Sequence, residues 1–101
     1  MKKLMILAAT AVLALPLTAN AERSGEEIYN AKCSVCHAAG VAGAPKFGNA
    51  EEWAPRAEKG LDALLATAKS GLNAMPPMGT CMDCSDTEMQ AAIQYMLDAA
   101  K

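Results

Sequence analysis

Two cysteines and a histidine in the run Cys33-Ser34-Val35-Cys36-His37 constrain this chain more than any other feature. A Cys-x-x-Cys-His run is typical of covalent attachment of a c-type haem. Two thiols on one helical turn can form thioethers with two vinyl groups on one porphyrin edge, while the adjacent imidazole, the only histidine of the chain, reaches the iron. The competing interpretations are a thioredoxin-like redox pair, half of a zinc site, and a structural disulfide with a histidine beside it.

The first 21 residues have the organisation of a secretory signal peptide. Two lysines precede an apolar run from Leu4 to Leu17, and Ala19-Asn20-Ala21 is a small-residue cleavage site. The run is too short to span a bilayer comfortably, so we expect a cleaved signal over 1–21 and no membrane span in the mature chain. The alternative is an uncleaved membrane anchor. Cleavage predicts a periplasmic protein with one domain over 22–101.

Composition limits what the mature chain can bind and how it can be stabilised. The formal net charge is −2, and loss of Lys2 and Lys3 makes the mature chain more acidic. Nucleic acid is therefore excluded as a partner. A domain of about 80 residues has a marginal core without a staple or a cofactor. Because the chain has only 4% aromatic residues, we expect a large planar apolar group, the haem, to form part of the core.

The mature chain is predicted to be all-α, with three short helices in its first part. Ser24 and Glu27 form a capping box that opens a first helix leading into the cysteine motif. Asn49 and Glu52 repeat the cap pattern before a short second helix. A leucine stripe predicts a third helix over 61–71, which we expect to contribute to the core and to line the haem. Loops rich in glycine or proline separate these helices.

The last helix has the clearest pattern. Ser85 and Glu88 form a capping box, and a continuous apolar stripe follows at helical spacing. The stripe comprises Met89, Ala92, Ile93, Met96, Leu97 and Ala100. Since a small domain must bury such a stripe, we expect it to pack on the first helix, with Gly25 allowing close approach and Tyr29 alongside.

The second cysteine pair, Cys81 and Cys84, is predicted to form a disulfide. Ser85 stands where a second haem motif would need a histidine. A zinc site would have to join the two pairs across 44 residues, well beyond the usual separation of about 15–20. In an oxidising periplasm a disulfide is the simplest outcome. It would stiffen the neighbouring loop more than it would stabilise the whole fold, because the closed ring is very short.

Three segments join the haem motif in a pattern that covers the mature chain. They are Gly43-Ala44-Pro45-Lys46-Phe47-Gly48, the loop Asn73-Ala74-Met75-Pro76-Pro77-Met78-Gly79, and Cys81-Met82-Asp83-Cys84. Together they resemble a class I cytochrome c of the cytochrome c5 type. The haem motif alone specifies c-type cytochromes at large, whereas a methionine loop followed directly by a second cysteine pair is specific to this subgroup.

The resemblance implies a monohaem one-electron carrier with three to five short helices wrapped round one covalent haem c. It implies covalent attachment at Cys33 and Cys36 and axial ligation of the iron by His37 and Met75. Pro45 resembles the family's proline whose carbonyl accepts the Nδ1 proton of the haem histidine; an ordinary loop proline is the alternative. The implied partners are membrane or periplasmic oxidases and reductases, and the implied assembly is a monomer or weak dimer. With both axial positions filled by protein, no catalytic residue is expected.

The residues themselves leave two candidates for the axial methionine, Met75 and Met78. Met82 lies inside the predicted disulfide ring, which keeps it from reaching the haem. Pro76 holds the backbone of Met75 in an extended conformation, and Pro77 stiffens the loop further. This restriction favours Met75, which is also the methionine that the family pattern places before the first proline.

Two functional classes stay open. One is a diffusible electron shuttle without catalytic turnover. The other is a haem subunit or domain of a larger respiratory or peroxidase-type enzyme, which would need a long partner interface or an open iron site.

Overall fold

The computed structural model describes residues 22–101 as short helical segments joined by loops. The predicted signal peptide over 1–21 lies outside these residues. The segments are α1 (Gly25–Ile28), a π-helical turn (Tyr29–Cys33), α2 (Ser34–His37), a 3-10 turn (Val41–Gly43), α3 (Ala50–Ala57), α4 (Leu61–Ser70), a second 3-10 turn (Pro77–Thr80) and α5 (Asp86–Ala99). No strand occurs within 22–101, which confirms the all-α prediction. No helix in this part of the chain has the length and apolar character needed to cross a membrane.

The first two helices and the π-helical turn between them form one continuous run that carries the cysteine motif. The Ser24 Oγ accepts from the Glu27 N–H at 3.1 Å, and Glu27 Oε1 accepts from the Ser24 N–H at 2.9 Å. This reciprocal pair is the predicted capping box. The π-helical turn ends at Cys33. Its extra residue rotates the following side chains by about 100° relative to an uninterrupted α-helix, which the sequence pattern did not predict.

The two ends of the region over 22–101 pack against each other, because α1 crosses α5 at close range. A Cβ built at Gly25 would lie 2.6 Å from the carbonyl carbon of Ala91, so only glycine allows this approach. Beside the crossing, the rings of Tyr29 and Tyr95 lie 5.5 Å apart. The predicted packing of the terminal helices is therefore confirmed.

The buried core consists of two clusters, and α5 contributes to both. The first contains Ile28, Ala68, Cys81, Cys84, Met89, Ala92 and Ile93. The second contains Tyr29, Trp53, Met96 and Ala100. The predicted apolar stripe is buried throughout except at Leu97, which is half-buried. The chain alone thus buries one continuous face of its last helix.

A charged contact that the sequence did not predict ties the segment before α1 to the start of α5. The Arg23 guanidinium donates to both carboxylate oxygens of Glu88, at 2.8 and 3.0 Å, and the Arg23 N–H donates to Oε2 at 2.9 Å. Glu88 also accepts from the Ser85 N–H at 3.0 Å, which completes the predicted capping box. The side-chain hydrogen bond from Arg23, followed by the bonds from the Ser85 N–H and the Arg23 N–H, lowers the pKa of Glu88 to about 2.

Gly25→Ala is expected to lower the free energy of unfolding by about 1–3 kcal/mol, because the added methyl group forces α1 away from α5. Alanine has the higher helix propensity, so a net loss isolates the clash. Asn30→Ala, at an exposed position of the same helical run, serves as the control and should change stability by no more than about 0.5 kcal/mol. Urea denaturation measures both. Equal stability of Gly25→Ala and the wild type would show that the helices do not approach this closely.

The lowered pKa of Glu88 predicts how the stability of the fold depends on pH. Its pKa falls from an ordinary 4.5 to about 2 on folding, so its stabilising effect is complete above the ordinary value and is lost as the pH drops toward about 2. The difference in unfolding free energy between the wild type and Glu88→Gln should therefore be largest at neutral pH and shrink in that window. Urea denaturation at a series of pH values measures it, with Glu58→Gln as a control for the loss of one negative charge. If the difference in unfolding free energy between the wild type and Glu88→Gln stays constant down to pH 2, the pKa of Glu88 is not lowered by folding.

Candidate haem-attachment site

The cysteine motif lies at the junction between the π-helical turn and α2. Cys33 closes the turn, and Cys36 and His37 lie in α2. Both cysteines are half-buried free thiols. Burial, with a smaller effect of Cys36, raises the pKa of the Cys33 thiol to about 11. A thioredoxin-like pair needs a thiol with a lowered pKa, so this environment argues against that interpretation.

His37 is the best-defined side chain of the site. It is buried, with 8% of its surface exposed, and its Nδ1 lies 2.8 Å from the carbonyl oxygen of Pro45. A carbonyl oxygen can only accept, so Nδ1 carries the proton and donates it. The lone pair of Nε2 is then free for a metal, in the arrangement usual for ligating histidines. The structure thus brings the Pro45 carbonyl into hydrogen-bond contact with the imidazole of His37.

The loop after His37 is held in place by α3. The Phe47 N–H donates to the His37 carbonyl at 2.7 Å. The indole of Trp53 donates from Nε1 to the Lys46 carbonyl at 3.0 Å, and its ring stacks on the imidazole with centroids 5.8 Å apart. Trp53 therefore fixes both the loop and one side of the histidine ring. Neither contact of Trp53 was predicted from the sequence.

The methionine loop begins with a tight turn that anchors the backbone of Met75. The N–H of Met75 donates to the Leu72 carbonyl at 2.9 Å, and the N–H of Leu72 donates back at 3.0 Å. Met75 and Met78 are both half-buried and pack on the first core cluster, as does Cys33. Met82 is 73% exposed and lies apart from this group. The structure thus brings both candidate ligands to the same cluster as the first cysteine.

The residues around this cluster fit a haem. Partly buried side chains converge there, namely Cys33, Leu61, Leu64, Leu65, Met75, Met78 and Leu97. Apolar side chains that stay half-exposed in one place form a surface that a large planar apolar cofactor would cover. Two thiols, a free imidazole nitrogen and a soft thioether are also the donor set that haem c takes.

The second cysteine pair lies just before α5. In the structure the sulfur atoms of Cys81 and Cys84 are joined, with 5.4 Å between the two Cα atoms. Within 22–101 the one group that resembles a metal site consists of these cysteines and Asp83. Joined sulfurs are not thiolates, so this group offers no zinc site. The disulfide of the exported protein stays a prediction.

Comparison with known proteins supports the haem interpretation. A family model described as cytochrome c oxidase, cbb3-type, subunit III, matches residues 20–96. Cytochrome c5 of Ectopseudomonas mendocina is 55% identical over 76 residues, which cover 73% of this chain and 87% of that protein. Cytochrome c5 of Azotobacter vinelandii is 53% identical over 76 residues, covering 73% and 92%.

Solved structures give the same result. A chain of the electron transfer complex of nitrite reductase with cytochrome c superimposes with a TM-score of 0.74 and 49% identity, over 76% of this chain and 94% of that chain. A mono-haem ferrocytochrome c from Shewanella putrefaciens gives a TM-score of 0.68 and 54% identity, over 73% and 91%.

Cytochromes c of this family bind one covalent haem c with its iron, and they are electron-transfer proteins, not enzymes. The predicted resemblance, fold and cofactor are therefore confirmed. With the cytochromes c5 matching most of its length and a cytochrome family model spanning residues 20–96, the chain belongs to the class I monohaem cytochromes c of the cytochrome c5 group.

Proposed function

We propose that this chain is a periplasmic one-electron carrier in which His37 and Met75 fill both axial positions of the haem iron. The observation that carries the proposal is the hydrogen bond from His37 Nδ1 to the Pro45 carbonyl, which presents Nε2 as a ligand. When bound, the haem supplies an iron that changes between the ferric and ferrous states. The thioether of Met75 favours the ferrous state, which raises the reduction potential relative to two nitrogen ligands.

The conformation of the loop supports Met75 over Met78 as the ligand. Met75 is fixed at its backbone by two hydrogen bonds to Leu72, and Pro76 follows it. Its methyl carbon packs against Gly79, where it lies 3.2 Å from the position that a Cβ would take. Met78 has a left-handed backbone with φ of 63°, which costs free energy in a residue other than glycine. A fixed backbone lowers the entropy lost when one side chain is held on the metal.

Export and the second cysteine pair complete the proposal. We infer that 1–21 is removed as a signal peptide and that the domain over 22–101 acquires its haem in the periplasm. The Cys81–Cys84 disulfide then forms in the same oxidising compartment. Both cysteines are buried in the first core cluster, beside the partly buried Met75 and Met78, so the bridge stiffens the end of the ligand loop.

The proposed partners are membrane or periplasmic oxidases and reductases, met by a monomer or weak dimer. In support, a solved structure with 49% identity is an electron transfer complex with nitrite reductase. The description of the matching family model, an oxidase subunit, favours a second candidate, a haem subunit of a larger respiratory complex. Gel filtration of the protein from its native host separates the two. Elution as a small protein supports the shuttle, and stable elution with an oxidase supports the subunit.

Covalent attachment is tested by the intact mass of denatured protein exported to the periplasm. We expect one haem added to the chain from Glu22 to Lys101. Cys33→Ser and Cys36→Ser together should give a polypeptide without haem, because no thioether can form. Release of haem from the denatured wild-type protein, leaving an unmodified polypeptide, would contradict attachment at this motif.

The axial methionine is tested by Met75→Ala and Met78→Ala, which are matched variants in the same loop. Met75→Ala should abolish the sulfur-to-iron charge-transfer band of the oxidised protein, lower the potential and open the ferrous iron to carbon monoxide. Met78→Ala should leave all three nearly unchanged. Visible spectra with and without carbon monoxide measure the outcome, and the opposite pattern would transfer the ligand role to Met78.

A further inference from the structure

We propose that Glu52 is a positioning residue for His37, acting through the single peptide unit between Pro45 and Lys46. The carboxylate of Glu52 binds one end of that peptide and the imidazole binds the other. The proposal rests on the proposed role of His37 as an iron ligand. It assigns the control of the histidine, and through it the reduction potential, to a side chain that does not touch the haem ligand.

The geometry forms an uninterrupted chain of hydrogen bonds. The Lys46 N–H donates to Glu52 Oε1 at 2.7 Å. The carbonyl of the same peptide, that of Pro45, accepts from His37 Nδ1 at 2.8 Å. A charge on Glu52 is thus separated from the imidazole by one peptide group.

Neighbouring contacts hold this peptide so that both bonds form together. The next carbonyl, that of Lys46, accepts from Trp53 Nε1 at 3.0 Å and from the Asn49 N–H at 3.0 Å. Glu52 and Trp53 are adjacent in α3, so one helix sets the position of both groups relative to the loop.

The orientation of the Glu52 side chain departs from the usual helix cap. Asn49 Oδ1 accepts from the Glu52 N–H at 3.0 Å, as the cap pattern predicts. In a reciprocal capping box the glutamate would reach back to the Asn49 N–H. The Asn49 N–H donates instead to the Lys46 carbonyl. The carboxylate of Glu52 accepts from the Lys46 N–H. The carboxylate is therefore used outside its own helix, on the peptide that holds the histidine.

This arrangement has an electronic consequence for the ligand. An N–H that donates to a carboxylate forms a strong, charge-assisted bond. It polarises the peptide and makes the Pro45 oxygen a better acceptor, as in other hydrogen-bond chains. A stronger acceptor draws the Nδ1 proton of His37 further away and makes the imidazole a more electron-rich ligand. The ferric state is stabilised, so the charge on Glu52 lowers the reduction potential.

Glu52→Gln tests the proposal, because glutamine keeps an acceptor oxygen and removes the charge. Glu51→Gln is the matched control, since it removes the same charge from an exposed position on the same turn of α3. At a fixed ambient potential, Glu52→Gln should raise the ratio of ferrous to ferric protein about threefold over Glu51→Gln, equivalent to about 28 mV. Glu52→Ala should raise it at least as much.

A second measurement reads the hydrogen bond directly. In proton–nitrogen NMR spectra of the ferrous holoprotein, the Lys46 amide proton should move upfield in Glu52→Gln and exchange faster with solvent in Glu52→Ala. Neither should happen in Glu51→Gln. Equal potentials for Glu52→Gln and Glu51→Gln, or an unmoved Lys46 amide, would overturn the proposal.

The wild-type spectrum keeps this test separate from the proposed function. A wild-type protein without histidine and methionine ligation would contradict the proposed function itself. A wild-type protein with that ligation, and no difference between the two glutamine variants, would overturn only the role of Glu52.

Discussion

The hydrogen bond between His37 Nδ1 and the Pro45 carbonyl is the interaction on which the rest of the site depends. It fixes the tautomer of the imidazole and the direction of Nε2. Forming it requires the chain to reverse direction immediately after α2. Gly40 makes this possible with a left-handed backbone at φ of 78°. The Phe47 N–H then closes the loop on the carbonyl of His37 itself.

The apolar core of the domain leaves a half-buried surface that one cofactor would cover. A small domain has little apolar surface to bury, and the apolar stripe of α5 is buried against α1 and α4. The leucines of α4, together with Cys33, Met75 and Met78, stay half-buried against the first core cluster. Because haem would cover this surface, the cofactor that carries the electron also completes the core. Function and stability are therefore coupled in the same residues.

The sequence predicted the features that depend on neighbouring residues. The capping boxes at Ser24 and Ser85, and the apolar stripe of α5, follow local rules of spacing and were found as predicted. The close approach at Gly25 was also predictable, since a buried stripe in a small domain needs a partner helix. The cysteine motif predicted a covalent haem c, which the family comparison confirms, whereas attachment at Cys33 and Cys36 stays a prediction.

The features that sequence reasoning missed depend on contacts between distant segments. Arg23 and Glu88 are 65 positions apart, and no local pattern predicts that they meet. The π-helical turn inserts one extra residue into an otherwise regular helix. The apolar periodicity before the cysteine motif is too short to reveal this insertion. The Glu52 carboxylate matched a local cap pattern, but the loop offered it a different N–H. In each case tertiary placement decided between local alternatives.

We propose that His37 and Met75 occupy both axial positions of the iron, and NMR of the methionine methyl groups tests this ligation. In ferrous protein with isotope-labelled methionine methyl groups, a methyl bound through sulfur to the iron lies directly over the haem ring and is shifted far upfield by its ring current. We expect one such methyl, assigned to Met75 by its absence from a Met75→Ala spectrum. An upfield methyl that belongs to Met78, or no shifted methyl at all, would contradict it.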